Sequence, residues 1–343
     1  MRAIAYRQPG PIDRADALID VTLPRPAPTG RDILVAVRAV SVNPVDTKVR
    51  TGAAPLEGRS ERILGWDAAG VVEAVGPEVT RFKVGDAVYY AGNIARDGSN
   101  AEYQLVDERI VGFKPRTLGW AEAAALPLTA ITAWEALFDR LHTNDRTTGG
   151  PRAILIIGGA GGVGSIAIQI ARALTDLTII ATASRPETQA WVRDLGAHHV
   201  LDHSRPLAAQ VASLGIGAPD YVFSTTHTDH HLAEIAELIA PQGRFVLIDD
   251  PESLDVTSFK RKSVSIHWEF MFTRPLLDTP DVAEQGRLLD TVAELVDAGR
   301  IRTTLTETLS PINAANLIAA HRRIESASTR GKIVLEGWEA ADA

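Results

Sequence analysis

The run ILIIGGAGGVGSIAIQIARAL, residues 154–174, constrains this chain more than any other stretch. A short apolar run of strand character leads straight into Gly159, Gly161 and Gly164 at G-x-G-x-x-G spacing, and the residues beyond repeat apolar positions with a period near 3.6. Strand, glycine turn and helix in this order open a βαβ unit that cradles a dinucleotide. The first glycine permits the tight turn, the second lets the backbone approach a pyrophosphate, and the third lets helix and sheet pack closely. The free amides at the helix start, those of Gly162 and Val163 among them, would then point at the phosphates, where the helix dipole also favours negative charge. A glycine triplet alone is compatible with a flexible turn; the flanking strand and helix, and the βαβ pattern that follows, give the dinucleotide reading its weight.

That pattern starts at Pro151. ILII (154–157), TIIATA (178–183), HHVLD (198–202), YVFST (221–225) and FVLID (245–249) are β-runs separated by helical stretches, as in a doubly wound parallel sheet, and KSVSIHWEFM (262–271) reads as a sixth strand at or near its edge. Residues up to about 112 have a different rhythm, with short β-runs such as ILVAVRAVSV (33–42) and DAVYYAG (86–92) punctuated by Pro and Gly, which reads as a β-barrel-like domain. Between them, WAEAAALPLTAITAWEALFDRL (120–141) has helical spacing that Pro127 should interrupt. The alternating runs TTLTETL (303–309) and KIVLEG (332–337) are expected to return to the first domain.

Bulk properties narrow the function. A length of 343 residues suits two domains, and 45% hydrophobic with 23% charged residues is ordinary globular usage. A net charge of -8 with scattered Lys and Arg offers no footprint for a nucleic-acid backbone. No run reaches the roughly 18 apolar residues of a membrane span, and the start lacks a signal peptide's apolar stretch, so the expected location is cytoplasmic. With Cys 0, disulfides, iron-sulfur clusters and thiolate-held zinc are excluded.

Cofactor choice is read at the end of the second strand, about 20 residues past the glycines, where an acidic residue would bind the ribose hydroxyl of NAD. Here Ser184 and Arg185 stand in ATASRPET. A hydroxyl and a guanidinium suit a 2'-phosphate and favour NADPH. The competing reading leaves Arg185 a solvated cation and gives the ribose to Glu187.

NPVDTKVR (43–50), ILGWDAAGVVEAVG (63–76), KVGDAVYY (83–90), GSNAEY (98–103), AAALPLTAITAWEAL (123–137), the glycine turn and RGKIVL (330–335) follow one another in the order of a known family. Over essentially its whole length the chain resembles the medium-chain dehydrogenase/reductases, in particular the zinc-independent quinone oxidoreductases and zinc-type alcohol dehydrogenase-like proteins. The resemblance implies an α/β protein with a GroES-like β-barrel catalytic domain over residues 1–124, completed by 300–343, and a Rossmann domain over 125–299. It departs from the zinc-dependent relatives where they place a Cys, here Asn43, and a Gly-His-Glu motif, here Gly65, Trp66 and Asp67. Trp cannot ligate zinc and Asn is a poor substitute for thiolate, so no metal ligands are assigned.

By resemblance, Asn43 and Asp46 would line the cleft beside the nicotinamide, Thr129 would hydrogen-bond the cofactor, and His203 would lie near the adenine. Ser224 and Thr225 would lie by the ribose, and Leu247 and Ile248 would give backbone contacts. Their structural alternatives are a turn at Asn43, a helix cap at Asp46 and a helix interior at Thr129. Tyr90 is a candidate donor in the cleft, against the alternative of a packed strand residue. The histidines in AHHVLDH (197–203) and THTDHH (226–231) read as surface residues rather than a metal site.

The leading functional reading is NADPH-dependent hydride transfer to a quinone or an α,β-unsaturated carbonyl, whose product anion is delocalised and needs no metal. Two alternatives stand beside it: an alcohol dehydrogenase-like enzyme with an atypical metal site, and a catalytically silent NADPH-binding sensor. A small molecule is the expected partner, and an apolar edge strand at SVSIHWEFM implies a homodimer.

Overall fold

The computed structural model describes residues 1–144 and 152–339, so Pro151, where the strand-helix pattern begins, lies outside the described residues. The chain divides into two compact units, Met1–Ile131 together with the segment from Phe272 onward, and Thr132–Met271.

The first unit opens with strands β1 (Arg2–Tyr6), β2 (Ile19–Thr22) and β3 (Asp32–Ser41), helix α1 (Pro44–Gly52), and strands β4 (Arg62–Ile63), β5 (Ala68–Val75), β6 (Ala87–Tyr90), β7 (Tyr103–Asp107) and β8 (Val111–Phe113). Helices α2 (Trp120–Ala124) and α3 (Pro127–Trp134) follow. Pro127 splits them as expected: proline has no amide hydrogen to donate to the preceding turn, but it suits the first position of a new helix.

The second unit holds β9 (Ala153–Ile157), α4 (Gly162–Leu174), β10 (Thr178–Thr182), α5 (Pro186–Asp194), β11 (His199–Leu201), α6 (Leu207–Ser213), β12 (Tyr221–Ser224), α7 (Thr228–Leu238), β13 (Arg244–Leu247) and β14 (Ser265–Trp268). Its six strands pair in the order β11-β10-β9-β12-β13-β14, all parallel. Chain order reverses between β9 and β12, the switch point at which such sheets bind dinucleotides. Parallel strands buried on both faces need continuous apolar runs, and Leu155, Ile157, Ile180, Val222, Phe245 and Leu247 supply one contiguous core. The run at 262–271 is the edge strand β14.

The chain then re-enters the first unit through α8 (Thr273–Leu277), α9 (Glu284–Asp297), β15 (Leu305–Leu309), α10 (Ala314–Glu325) and β16 (Lys332–Glu336). Strands β15 and β16 extend one sheet in the order β15-β16-β3-β5-β6-β8, with β7 also on β3; β2, β1 and β4 form a second sheet. The return begins at Phe272 rather than at position 300, and the first unit runs to Ile131 rather than to 124. The reason is α9, which packs on β6 and β8: Tyr89 Oη of β6 donates to the Leu289 carbonyl at 2.6 Å, and Asp290 Oδ1 accepts from the Phe113 amide of β8 at 2.9 Å. Among the described residues no helix is long and apolar enough to cross a membrane.

Candidate functional site

The glycine turn sits at the carboxyl end of β9. The residue with left-handed backbone is Gly158, at φ +80°, one position before the glycine assigned to the turn from spacing. A Cβ at Gly158 would also fall 2.4 Å from Thr225 Oγ1. Gly164 is required for a different reason: its Cβ would lie 2.3 Å from the Gly158 carbonyl oxygen and 2.7 Å from Gly159 Cα, so the helix start is pressed against the turn itself. A Cβ at Gly161 would meet nothing closer than 3.5 Å, which leaves that face open to a ligand. Helix α4 begins at Gly162, and helix geometry leaves the amides of Gly162, Val163 and Gly164 without a carbonyl one turn back. The turn therefore fits the diphosphate of a nicotinamide dinucleotide.

A side chain not singled out in the sequence braces the turn. Thr182, buried at the end of β10, accepts from the Gly158 amide at 3.0 Å and meets His203 Nδ1 at 3.2 Å. Burial holds the half-buried His203 below the usual histidine range. Ser184, Arg185, His203, Ser224, Thr225, Leu247 and Ile248 all fall at or just past the carboxyl ends of β10, β11, β12 and β13, on the edge of the sheet that carries the turn. Thr225 Oγ1 donates to the Ile157 carbonyl at 2.8 Å, and Ser224 accepts from Thr228 Oγ1 at 2.8 Å. Arg185 and Glu187, the two rival readings of the ribose site, form an ion pair at 3.2 Å. Among the described residues, no group of three or more His, Asp or Glu is placed to hold a metal ion.

In the first unit, residues that are distant in sequence meet in a dry cluster. Asn43 precedes α1, Asp67 precedes β5, and Lys332 begins β16; each is buried. Lys332 Nζ donates to Asp67 Oδ2 at 3.0 Å, to the Val42 carbonyl at 3.0 Å and to Asn43 Oδ1. Asn43 Nδ2 donates to Asp67 Oδ2 at 2.8 Å, and Asp67 Oδ1 accepts from the Leu128 amide at 2.7 Å, satisfying an orphan donor in the first turn of α3. Asp46, in the first turn of α1, accepts from the Asn43 amide at 2.8 Å and the Gly65 amide at 2.9 Å. Burial pushes Asp46 up to about 7 against the pull of the Asn43 amide and Lys332, and burial likewise raises Asp67 against Lys332.

Asn43 and Asp46 are thus brought together, with their polar atoms engaged by protein partners. Thr129 Oγ1 donates to the Leu126 carbonyl, just before its own helix, at 3.0 Å. Tyr90 takes no part in this hydrogen-bond network: it is buried, its hydroxyl has no hydrogen-bond partner among the described residues, and burial raises it above the usual tyrosine range. Trp66 packs edge-on to Phe272, with ring centroids 6.0 Å apart.

This donor set does not fit zinc. Trp66 offers no ligand atom, the Asn43 oxygen already accepts from an ammonium, and both Asp67 oxygens are hydrogen-bonded, one of them to that ammonium. Lys332 and Asp67 were missed in the sequence as a pair. The available signal was a lysine opening the otherwise apolar run KIVL and an aspartate between a tryptophan and two alanines, since a charge in such surroundings needs a partner.

Comparisons with known proteins agree with this architecture. A family model for an alcohol dehydrogenase GroES-like domain matches residues 29–134, and one for a zinc-binding dehydrogenase matches residues 195–335. A zinc-type alcohol dehydrogenase-like protein of Staphylococcus aureus (strain Mu50) is 41% identical over 339 residues, covering 98% of this chain and 99% of its own. A solved structure from Rhizobium etli CFN 42, provisionally described as a zinc-dependent alcohol dehydrogenase, is 66% identical with a TM-score of 0.97 and 99% coverage of both chains. A Pseudomonas syringae quinone oxidoreductase structure is 27% identical with a TM-score of 0.82, covering 98% of this chain and 99% of its own. With a relative of that identity along its whole length, and with both halves of the architecture present, the chain belongs to the medium-chain dehydrogenase/reductase superfamily of oxidoreductases, as the order of its motifs implies.

Proposed function

We propose that this oxidoreductase uses NADPH to reduce a quinone or an α,β-unsaturated carbonyl without zinc. The observation that carries the reading is the ammonium of Lys332, hydrogen-bonded to Asn43 and Asp67 at the positions where zinc-dependent relatives keep the Cys ligand and the Glu of the Gly-His-Glu motif. A reduced nicotinamide, when bound, supplies a hydride. With no Lewis acid to steady a localised alkoxide, the acceptor must spread the incoming negative charge itself, as a quinone does in becoming a hydroquinone anion and an enone in becoming an enolate. The quinone oxidoreductase among the structural relatives supports that acceptor class.

The test is NADPH oxidation by chelator-treated protein against a panel of quinones, enals and enones. Turnover that survives chelation is expected. Activity confined to simple aldehydes and ketones, and lost when a stoichiometric zinc is chelated away, would replace this reading with the metal-dependent one, and tight NADPH binding without turnover on any acceptor would leave a sensor.

The preference for NADPH rests on Arg185. Its side chain is 46% exposed and ion-paired with the neighbouring carboxylate of Glu187 at 3.2 Å, an exposed guanidinium of the kind that pairs with a 2'-phosphate. Arg185→Ala is expected to lower the NADPH-to-NADH ratio of kcat/KM by about tenfold, ~1.4 kcal/mol. A wild-type protein that turns over both cofactors equally removes the argument. A homodimer is proposed on the exposed Trp268 and Phe270, 56% and 47% accessible, at and just past the edge strand β14. A monomer by sedimentation at micromolar concentration would refute it.

A further inference from the structure

We propose that Lys332 is a positioning residue for hydride acceptance: a built-in cation that fixes Asn43 and Asp67 where zinc-dependent relatives keep a metal. This rests on the zinc-independent reading above and deepens it.

The argument begins with the energetics of burial. The Lys332 side chain is 3% exposed and that of Asp67 is 0% exposed, so both charges are removed from water and neither can move without the other. All three acceptors of the ammonium are identified: a carboxylate oxygen, a carboxamide oxygen and the Val42 carbonyl. A lysine has three donors and no acceptor, so this site saturates it.

Saturation has a geometric consequence for Asn43. The two ends of a carboxamide have nearly the same shape, and only their partners decide which faces where. Lys332 can only donate and therefore claims Oδ1, which turns Nδ2 toward Asp67. Without the ammonium, the carboxamide would be oriented from one side only, through Nδ2 on Asp67, and Oδ1 would lose the donor that faces it. The same ammonium steadies Asp67, whose other oxygen receives the Leu128 amide in the first turn of α3, one residue before Thr129. A single side chain from β16 thus sets the segment before α1, the segment before β5 and the start of α3 at once.

The charge balance points the same way. Asp46 and Asp67 lie in one dry cluster in which Asp67 raises the energy of the ionised form of Asp46, while Lys332 lowers that of both. Hydride transfer builds negative charge on the acceptor, and an ammonium that offsets one carboxylate keeps that cluster from opposing it. The residue acts through Asn43 and Asp67, and no contact with substrate is required of it.

Two variants test this. Lys332→Met leaves Asp67 buried and unpaired and is liable to unfold, so the decisive protein is the double variant Asp67→Asn with Lys332→Met, which removes both charges and retains an amide for Asn43 and Leu128. Replacing a buried pair by neutral groups is often close to neutral in stability. The double variant is expected to melt within a few degrees of wild type and to bind NADPH, followed by nucleotide fluorescence, within about twofold of wild type, while kcat with a quinone falls by at least about tenfold at unchanged KM. A folded double variant whose kcat stays within about twofold of wild type overturns the proposal. A loss of NADPH affinity in parallel with kcat also overturns it, since that pattern marks general damage. If wild type itself turns over no acceptor, the zinc-independent reading has failed, and that result is distinct from either outcome.

Discussion

The glycine turn of the second unit is built almost wholly from main chain, whereas the cluster of the first unit is built from the side chains of Asn43, Asp46, Asp67 and Lys332. Both are arranged around charge. The turn presents unpaired amides to a ligand that brings its own negative charge, so its requirement is space and backbone shape. The cluster contains its charges already, and its requirement is that every one be paired inside the protein. The turn should therefore fail through sterics, locally, and chiefly in ligand binding. The cluster should fail through electrostatics, across distant segments, and chiefly in stability and turnover.

The largest expected effect breaks the cluster. Asp67→Ala leaves the Lys332 ammonium buried beside one carboxamide and one carbonyl and strips the Leu128 amide of its acceptor. Removing one partner of a buried pair typically destabilises by about 3–5 kcal/mol. In a unit of this size that corresponds to a fall in Tm of roughly 10 °C by calorimetry. A variant within a degree or two of wild type would show that the cluster is wetter than its burial indicates.

Next in size is the turn. Gly164→Ala places a methyl carbon 2.3 Å from the Gly158 carbonyl oxygen, a backbone atom that can only yield by moving the turn away from its shape. NADPH affinity by fluorescence titration should fall by about a hundredfold, ~2.7 kcal/mol, with little change in the first unit. Gly161→Ala meets only open space until a ligand is present, so its effect should appear in the titration and not in the melt. Equal losses of stability from both variants would erase the contrast between steric and electrostatic failure.

What could be read from the chain divides along the same line. A turn made of consecutive residues shows itself in consecutive letters, and the G-x-G-x-x-G spacing located it to within one residue: the left-handed position is Gly158, because the sharpest bend comes directly after Ile157, the last residue of β9. The parallel sheet of the second unit followed from apolar runs separated by helical stretches, because a sheet covered on both faces must repeat them. The return of the chain at Phe272 did not follow, since α9 carries an amphipathic pattern that would suit either unit; only Tyr89 and Asp290 reveal which side it takes. The cluster was legible only in its substitutions. Asn43 and Trp66 announced that zinc ligands were missing, yet nothing in local sequence joins residue 332 to residue 67, a pairing made by the antiparallel register of β16 on β3 and the neighbouring β3 on β5.

The smallest expected effect sharpens the comparison through pH. Asp46 is raised to about 7 from an ordinary value of 3.8, chiefly by burial. A carboxyl group that holds its proton more tightly when folded stabilises the protein most at pH values below its unfolded value, and that contribution is lost as pH rises through its folded value. The first unit should therefore lose stability between about pH 4 and 7 by way of Asp46. Asp46→Asn cannot ionise, so the difference in Tm between wild type and variant should change across that window by a few degrees, whatever constant offset the lost acceptor introduces. The glycine turn has no ionisable group of its own, and the amides it offers to a diphosphate do not titrate. A pH-dependent difference that is absent between wild type and Asp46→Asn would mean that the Asn43 and Gly65 amides, with Lys332, hold Asp46 ionised in spite of its burial. Asp46 would then stand with Asp67 as a second carboxylate relying on the same ammonium.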